Sequence, residues 1–211
     1  NVVPEYAKVW MWVRDSKRDG VEQVFSRVKE IANGAGIMAG VESRVTVQTG
    51  DYELLVNLKG AEVLQKNLEL LGPIIYTPEE ISFAKKIQEE TEVPQTGLSG
   101  TISPLKSTRK DPDNGSTDVG DVSWVVPEIS LVVTTAPMEA PWHSWAVVAC
   151  GGMSIGHKGM IYATKALAMT MVDLFEQEAL RKNIRTEFEE RRAGHVLKPY
   201  IPDGPPPLPA D

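Results

Sequence analysis

The first fifty residues hold two short β-branched and aromatic stretches with one amphipathic helix between them. A strand–helix–strand unit of that size cannot cover both faces of its own sheet and helix. Residues 7 to 13 carry two Trp and two Val and stop at the polar turn Asp15-Ser16-Lys17-Arg18-Asp19-Gly20. Val21, Val24, Phe25, Val28, Ile31, Ala32 and Ala35 then recur three or four apart, one helical stripe, and Gly40 is a natural stop for it. Residues 44 to 48 alternate polar and apolar as a half-buried strand does. Further strands are therefore expected, from elsewhere in a longer chain or from a partner.

The rest of the 211-residue chain suffices for one large domain or two small ones. Leu58, Ala61, Leu64, Leu68 and Leu71 predict a helix over 58–71, ended by Gly72-Pro73. Thr77-Pro78-Glu79-Glu80 opens another with a cap, a proline at the first helical position and a capping box, and it should run to about Glu92. Residues 94–117 are rich in Thr, Ser, Gly, Pro and Asp, a long loop of the functional or mobile kind. Residues 129–134 read as a buried strand. Residues 159–175 form a helix apolar almost all round, hence expected deep in the core. Residues 176–192 continue as a charged helix with Leu180, Ile184 and Phe188 on one face, and 199–211 form a proline-rich tail.

Composition narrows the function. Twenty-nine acidic against 22 basic residues give a net charge of −7, which argues against a phosphate-tracking surface and so against nucleic acid as the main partner. No run approaches the roughly 18 apolar residues of a membrane span. The single cysteine, Cys150, rules out an internal disulfide and fits a reducing compartment. The first residue is Asn1, so a processed chain or part of a longer one is expected.

Three histidines and one cysteine cannot build a conventional structural zinc site. His143, in Ala140-Pro141-Trp142-His143-Ser144-Trp145, lies just beyond the 129–134 strand, where α/β proteins bind ligands. A lone histidine between tryptophans is also commonly structural, and the residues alone leave both readings open. Gly151-Gly152-Met153-Ser154-Ile155-Gly156-His157-Lys158-Gly159 lacks the Lys and Ser or Thr of a phosphate loop and reads as a glycine turn feeding a helix. His195 reads as a solvated surface residue. Gly115-Ser116-Thr117-Asp118-Val119-Gly120-Asp121-Val122-Ser123-Trp124 is either a helix start capped by Thr117 or Asp118, or a turn that holds an anionic group. Asn114-Gly115-Ser116 also matches a glycosylation sequon.

Taken in order, that Gly115–Trp124 segment, Pro141-Trp142-His143-Ser144-Trp145 and Ser154-Ile155-Gly156-His157-Lys158-Gly159-Met160 resemble the C-terminal half of the B-type subunits of the aminobenzoyl-glutamate hydrolases. Those proteins fall within the aminoacylase and carboxypeptidase superfamily of dinuclear-metal amidohydrolases. The opening Asn1-Val2-Val3-Pro4, the strand ending at Arg14, and the helix and strand after it resemble the latter part of that family's lid domain.

The resemblance implies an α/β chain: part of a lid, or dimerisation, βαβ unit over 1–52, the C-terminal half of a zinc-peptidase-like α/β/α catalytic domain over 53–194, and the tail over 195–211. It implies a cytoplasmic metal-dependent amidohydrolase, or metallopeptidase, that cleaves an N-acylated amino acid or dipeptide such as aminobenzoyl-glutamate. Two divalent ions, Zn or Mn, would serve the complete enzyme, a homodimer through its lid. By position, His143 matches a metal ligand, Asn1 a catalytic asparagine beside the scissile carbonyl, and Arg14 an arginine gripping a substrate carboxylate. Ser116, Thr117 and Asp118 match the substrate-side turn. The family's other metal ligands and its water-activating glutamate have no counterpart here, so the chain alone is expected to be inactive. It is then a truncated piece, a proteolytic remnant or one part of a split protein. A non-catalytic dimerisation or binding module is the rival reading.

Overall fold

The computed structural model describes residues 1–106, 115–200 and 204–205. Seven helices form among them: α1 (Arg18–Ala39), α2 (Leu58–Leu71), α3 (Pro78–Glu90), α4 (Val119–Ser123), α5 (Trp145–Gly151), α6 (Ser154–Glu176) and α7 (Glu178–Arg192). Asn114 of the sequon, residues 107–114 of the long loop and most of the proline-rich tail lie outside the described residues.

No strand forms among the described residues, which overturns the α/β class, the βαβ unit and the α/β/α layering expected from the sequence. The physical reason lies in what a β pattern measures. Val, Trp and alternation register how well a segment would fit a pleated, half-buried surface, and that surface exists only once other strands are paired to it. Here residues 7–13, 44–48 and 129–134 are not paired with one another; Val132, for example, is 91% exposed. Trp10 and Trp12 do lie side by side, ring centroids 5.9 Å apart, as residues two apart on one face should. Both are largely exposed.

The chain divides into two compact units. The first takes in Asn1–Leu55, Lys110–Val126 and His195–Asp211; the second takes in Val56–Arg109 and Pro127–Gly194.

In the first unit α1 ends as expected: Gly40 adopts φ 67°, and the Val41 N–H reaches back to the Gly36 carbonyl at 3.0 Å. At the other end Lys17 supplies no side-chain cap, and Glu53 Oε2 accepts the Arg18 N–H instead, at 3.1 Å. The segment before residue 56 spends its backbone groups on α4 and the residue after it. Asp121 Oδ1 accepts the Tyr52 N–H at 2.8 Å, Ser123 Oγ accepts the Leu55 N–H at 2.8 Å, and Trp124 Nε1 donates to the Glu53 carbonyl at 2.7 Å. Buried Arg18 is stacked between the Tyr52 and Tyr200 rings, 4.0 and 3.4 Å from their centroids, and donates to the Lys198 carbonyl at 2.9 Å. His195 is exposed, as the surface reading has it, and lies edge-on against Trp124 and Tyr52.

Close approach fixes Gly120, because a Cβ there would overlap the Tyr52 carbonyl oxygen. Gly120→Ala is therefore expected to push α4 off this segment and cost roughly 2–3 kcal/mol. A urea melt followed by far-ultraviolet circular dichroism would measure it, and a shift under about 0.5 kcal/mol would contradict the packing.

In the second unit α2, α3 and α7 begin and end within two residues of where the sequence places them, whereas α6 starts at Ser154, ahead of the expected Gly159, and α5 is not expected from the sequence. Ahead of α2, Asn57 Oδ1 accepts the Gly60 N–H at 2.8 Å while its amide donates to the Ile184 carbonyl of α7, also at 2.8 Å. Glu187 of α7 adds a second acceptor to the start of α2, taking the Lys59 N–H at 2.6 Å. Burial opposes the charge on Glu187, but the Lys59 and Leu58 N–H groups and Arg191 outweigh it and hold the carboxyl below its usual range. The Thr77–Glu80 capping box is complete. α3 stops at Glu90, two residues early, because Thr91 bonds back to the Ile87 carbonyl and Glu92 turns left-handed at φ 56°.

α6 is a long helix, as expected, but not deeply buried. It packs against α2, α5 and α7, burying Ile155, Gly156, Gly159, Ala166 and Thr170. Met160, Ile161, Met171, Val172 and Phe175 (85%) remain exposed. An all-apolar helix requires cover, and the other helices supply it on one side only. One core gathers Ile87, Ala140, Ala146, Cys150 and Ile155 from α3, α5, α6 and the loop before α5. Val63 and Leu64 of α2, and Ile184 and Phe188 of α7, are buried as well.

Candidate functional site

The loop before α5 is held at both ends. At its start the Gln88 amide of α3 donates to the Met138 carbonyl at 2.9 Å, and the Met138 N–H reaches the Gly97 carbonyl. At its end Ser144 caps α5, its hydroxyl accepting the Ala146 N–H and donating to the Pro141 carbonyl at 2.5 Å. Between these ties two non-glycine residues, Glu139 (φ 61°) and His143 (φ 59°), sit in the left-handed region that side chains rarely adopt.

His143 is exposed at the end of this loop, directly before α5. Its flanking tryptophans are exposed too, Trp142 at 71% and Trp145 at 55%. The imidazole is therefore not wedged in an aromatic core, and the tryptophans do not dry its surroundings. Nor does it follow a buried strand, since residues 129–134 form none. Among the described residues no three His, Cys, Asp or Glu side chains gather as a metal site would require. His143 suits the part of one ligand; a two-metal donor set does not fit these residues.

The other sequence-predicted site residues belong to the first unit. Asn1 and Arg14 are exposed, and the Arg14 guanidinium lies 5.4 Å from the Trp12 ring centroid. Ser116, Thr117 and Asp118 are exposed at the start of α4. Thr117 Oγ1 accepts the Val119 N–H at 3.3 Å, so the helix-start reading of that turn holds. Asp118 occupies the cap position without a capping hydrogen bond. Near it, burial first, then the Asp121 and Asp118 charges, raise the Asp51 carboxyl above its ordinary value.

Two arrangements in the second unit have no motif in the sequence. Glu80, buried, accepts the Thr77 N–H at 2.7 Å and the Lys158 ammonium at 2.6 Å, and Lys158 also donates to the Ile75 carbonyl. Burial works against that carboxylate, but hydrogen bonds from Lys158, Ser154 and Thr77, with the Lys158 charge, overcome it and lower its pKa. The other is Gln88, fully buried. One weak signal could have found it: Glu80, Ala84, Ile87 and Gln88 share one helical stripe, and a polar residue in such a stripe needs partners. His157 stands on α6 itself rather than in a turn ahead of it, and lines a surface cavity of about 500 Å³ with Ile75, Ile161 and Lys165.

No protein-family model matches the chain, and no solved structure matches it. A curated protein does. This chain is similar to the B-type subunit of p-aminobenzoyl-glutamate hydrolase from Escherichia coli (strain K12). The two are 30% identical over 220 aligned positions, which take in 90% of this chain and 44% of the relative. The chain thus spans less than half the relative's length, consistent with a C-terminal portion, and the resemblance read from its three motifs is borne out.

Proposed function

We propose that this chain supplies the C-terminal portion of a cytoplasmic, metal-dependent amidohydrolase that cleaves N-acylated amino acids, with p-aminobenzoyl-glutamate the leading substrate. The identity to a hydrolase subunit across nine-tenths of the chain carries this reading. In the assembled enzyme two divalent ions, Zn or Mn, would supply a hydroxide at neutral pH. From this chain His143 contributes one ligand, and the remaining ligands and the proton-accepting glutamate come from polypeptide beyond the described residues. Asn1 offers its side-chain amide to the scissile carbonyl oxygen, where negative charge develops. Ser116, Thr117 and Asp118 border the substrate. Taken alone the chain is a non-catalytic module, a reading supported by the lack of any cluster of three His, Cys, Asp or Glu side chains among the described residues.

The test replaces the matching portion of the E. coli relative with this chain and follows release of p-aminobenzoate, with the relative's companion subunit present. Turnover by the chimera and none by the chain alone is expected. A folded chimera that cleaves no N-acyl amino acid would defeat the hydrolase reading, and turnover by the chain alone would defeat the shared-site reading.

Arg14 sets the carboxylate preference in this scheme, since a guanidinium fork matches a carboxylate through two parallel hydrogen bonds. Arg14→Ala in the chimera is expected to lower kcat/KM for p-aminobenzoyl-glutamate roughly tenfold to a hundredfold. An analogue lacking the α-carboxylate should lose far less; equal losses would assign Arg14 to folding.

The first unit is also proposed to pair with a second copy. Its α1 leaves Val24, Ile31, Ile37 and Met38 exposed, and Trp10 and Trp12 add a large aromatic area. Sedimentation of the assembled enzyme should show a homodimer, and a monomer at micromolar concentration would count against it.

A further inference from the structure

We infer that Gln88 is a positioning residue: its amide fixes the loop that presents His143, and through that loop the direction of the imidazole. The inference rests on the proposed role of His143 in the reaction. Gln88 has no exposed surface. Its Nε2 donates to the Met138 carbonyl at 2.9 Å and to Thr96 Oγ1 at 3.0 Å, with the Gly97 carbonyl at 3.4 Å, while its Oε1 accepts the Gly97 N–H at 2.7 Å. That donor and acceptor pattern fixes which way the amide faces, because the Gly97 N–H can meet only the oxygen and the Met138 carbonyl only the nitrogen.

The neighbouring buried positions of α3 are Ala84 and Ile87, so an apolar side chain would serve packing equally well at 88. A buried amide is retained at a cost unless every polar atom is bonded, and here each bond runs to a loop, none to the rest of α3. Two loops are thereby joined, the one at Gly97 and the one that begins at Met138. The second carries two left-handed non-glycine residues, Glu139 and His143, within five positions. Backbone of that kind persists only where its surroundings over-determine it. Gln88 at one end and Ser144 at the other supply that restraint, and residues 139–143 have little freedom between them.

The experiment uses the full chain with uniform ¹⁵N labelling, which reports the histidine rings and the Gly97 amide together. Its three histidines give His157 and His195 as internal references for His143. Gln88→Met keeps the volume and removes every hydrogen bond of the amide. His143 ring signals are expected to broaden or move, and the Gly97 amide to exchange at least tenfold faster, with His157 and His195 unchanged. Gln88→Asn, one methylene short, should show the same effect at lower amplitude and decides the matter if Gln88→Met does not fold. Unmoved His143 signals in a folded variant, or equal changes at all three histidines, would overturn the positioning role. In the chimera, kcat should fall at least tenfold with KM within twofold. Displaced His143 signals with kcat intact would instead remove His143 from the reaction and overturn the functional reading alone.

Discussion

Replacing His143 with Gln is expected to leave the melting temperature within about 2 °C and to lower kcat of the proposed assembled hydrolase on the order of a thousandfold or more. The first half follows from exposure. The imidazole lies outside the core, its tryptophan neighbours are themselves exposed, and the several-fold weaker preference of Gln for left-handed backbone costs only on the order of 0.5 kcal/mol. The second half follows from its proposed role as a ligand. Amide hydrolysis needs a hydroxide held at the carbonyl, and losing one neutral nitrogen donor weakens the hold on at least one ion. Metal content, activity and melting temperature measured on the same preparation separate the cases. Full metal occupancy, with activity falling only in step with stability, would sink the assignment.

The next largest effect belongs to stability. Lys158→Met should leave Glu80 buried without its ionic partner and destabilise the chain by roughly 2–3 kcal/mol. A fully buried pair would cost more, but the lysine side chain is 34% exposed, which discounts the figure. The melting temperature should drop about 5–10 °C. The same pair predicts an acid-labile second unit. The folded carboxyl has a lowered pKa, so its contribution is fully present above the unfolded value of about 4.3 and is lost as pH falls through the folded value. In Lys158→Met that dependence should flatten. Parallel acid denaturation curves for the two proteins would show that Glu80 is not its source.

What the sequence made legible was local. Gly40, Gly72, Thr77, Pro78 and Glu80 act within a turn of their own helix, and each helix end they mark is found within two residues. The strands were illegible for the opposite reason: residues 44–48 have the right alternation, but alternation cannot say whether a neighbouring strand exists to receive it. α6 teaches a related lesson, since its composition states that cover is required and not what provides it. For the site, the motif around His143 was readable and its exposure was not. Gln88 showed itself only as a polar residue in an apolar stripe. The Glu80–Lys158 pair joins residues 78 apart, with no spacing rule to announce it.

The Arg18 side chain bonds to the Lys198 carbonyl across 180 residues of sequence. The first unit is thus assembled from three stretches, and the whole of the second lies, in sequence, in the gaps between them. On a ribosome adding roughly 5–20 residues per second, Arg18 and Tyr52 wait on the order of 10–40 s for Lys198 and Tyr200 to appear. Until then their surfaces are open to other chains emerging nearby. Contacts this distant also slow folding, because the intervening segments must be ordered before the closing bonds repay that entropy. The second unit waits as well: its α2 packs against α6 and α7, and Asn57 bonds to the Ile184 carbonyl across 127 residues of sequence, so neither unit can close before α7 has emerged.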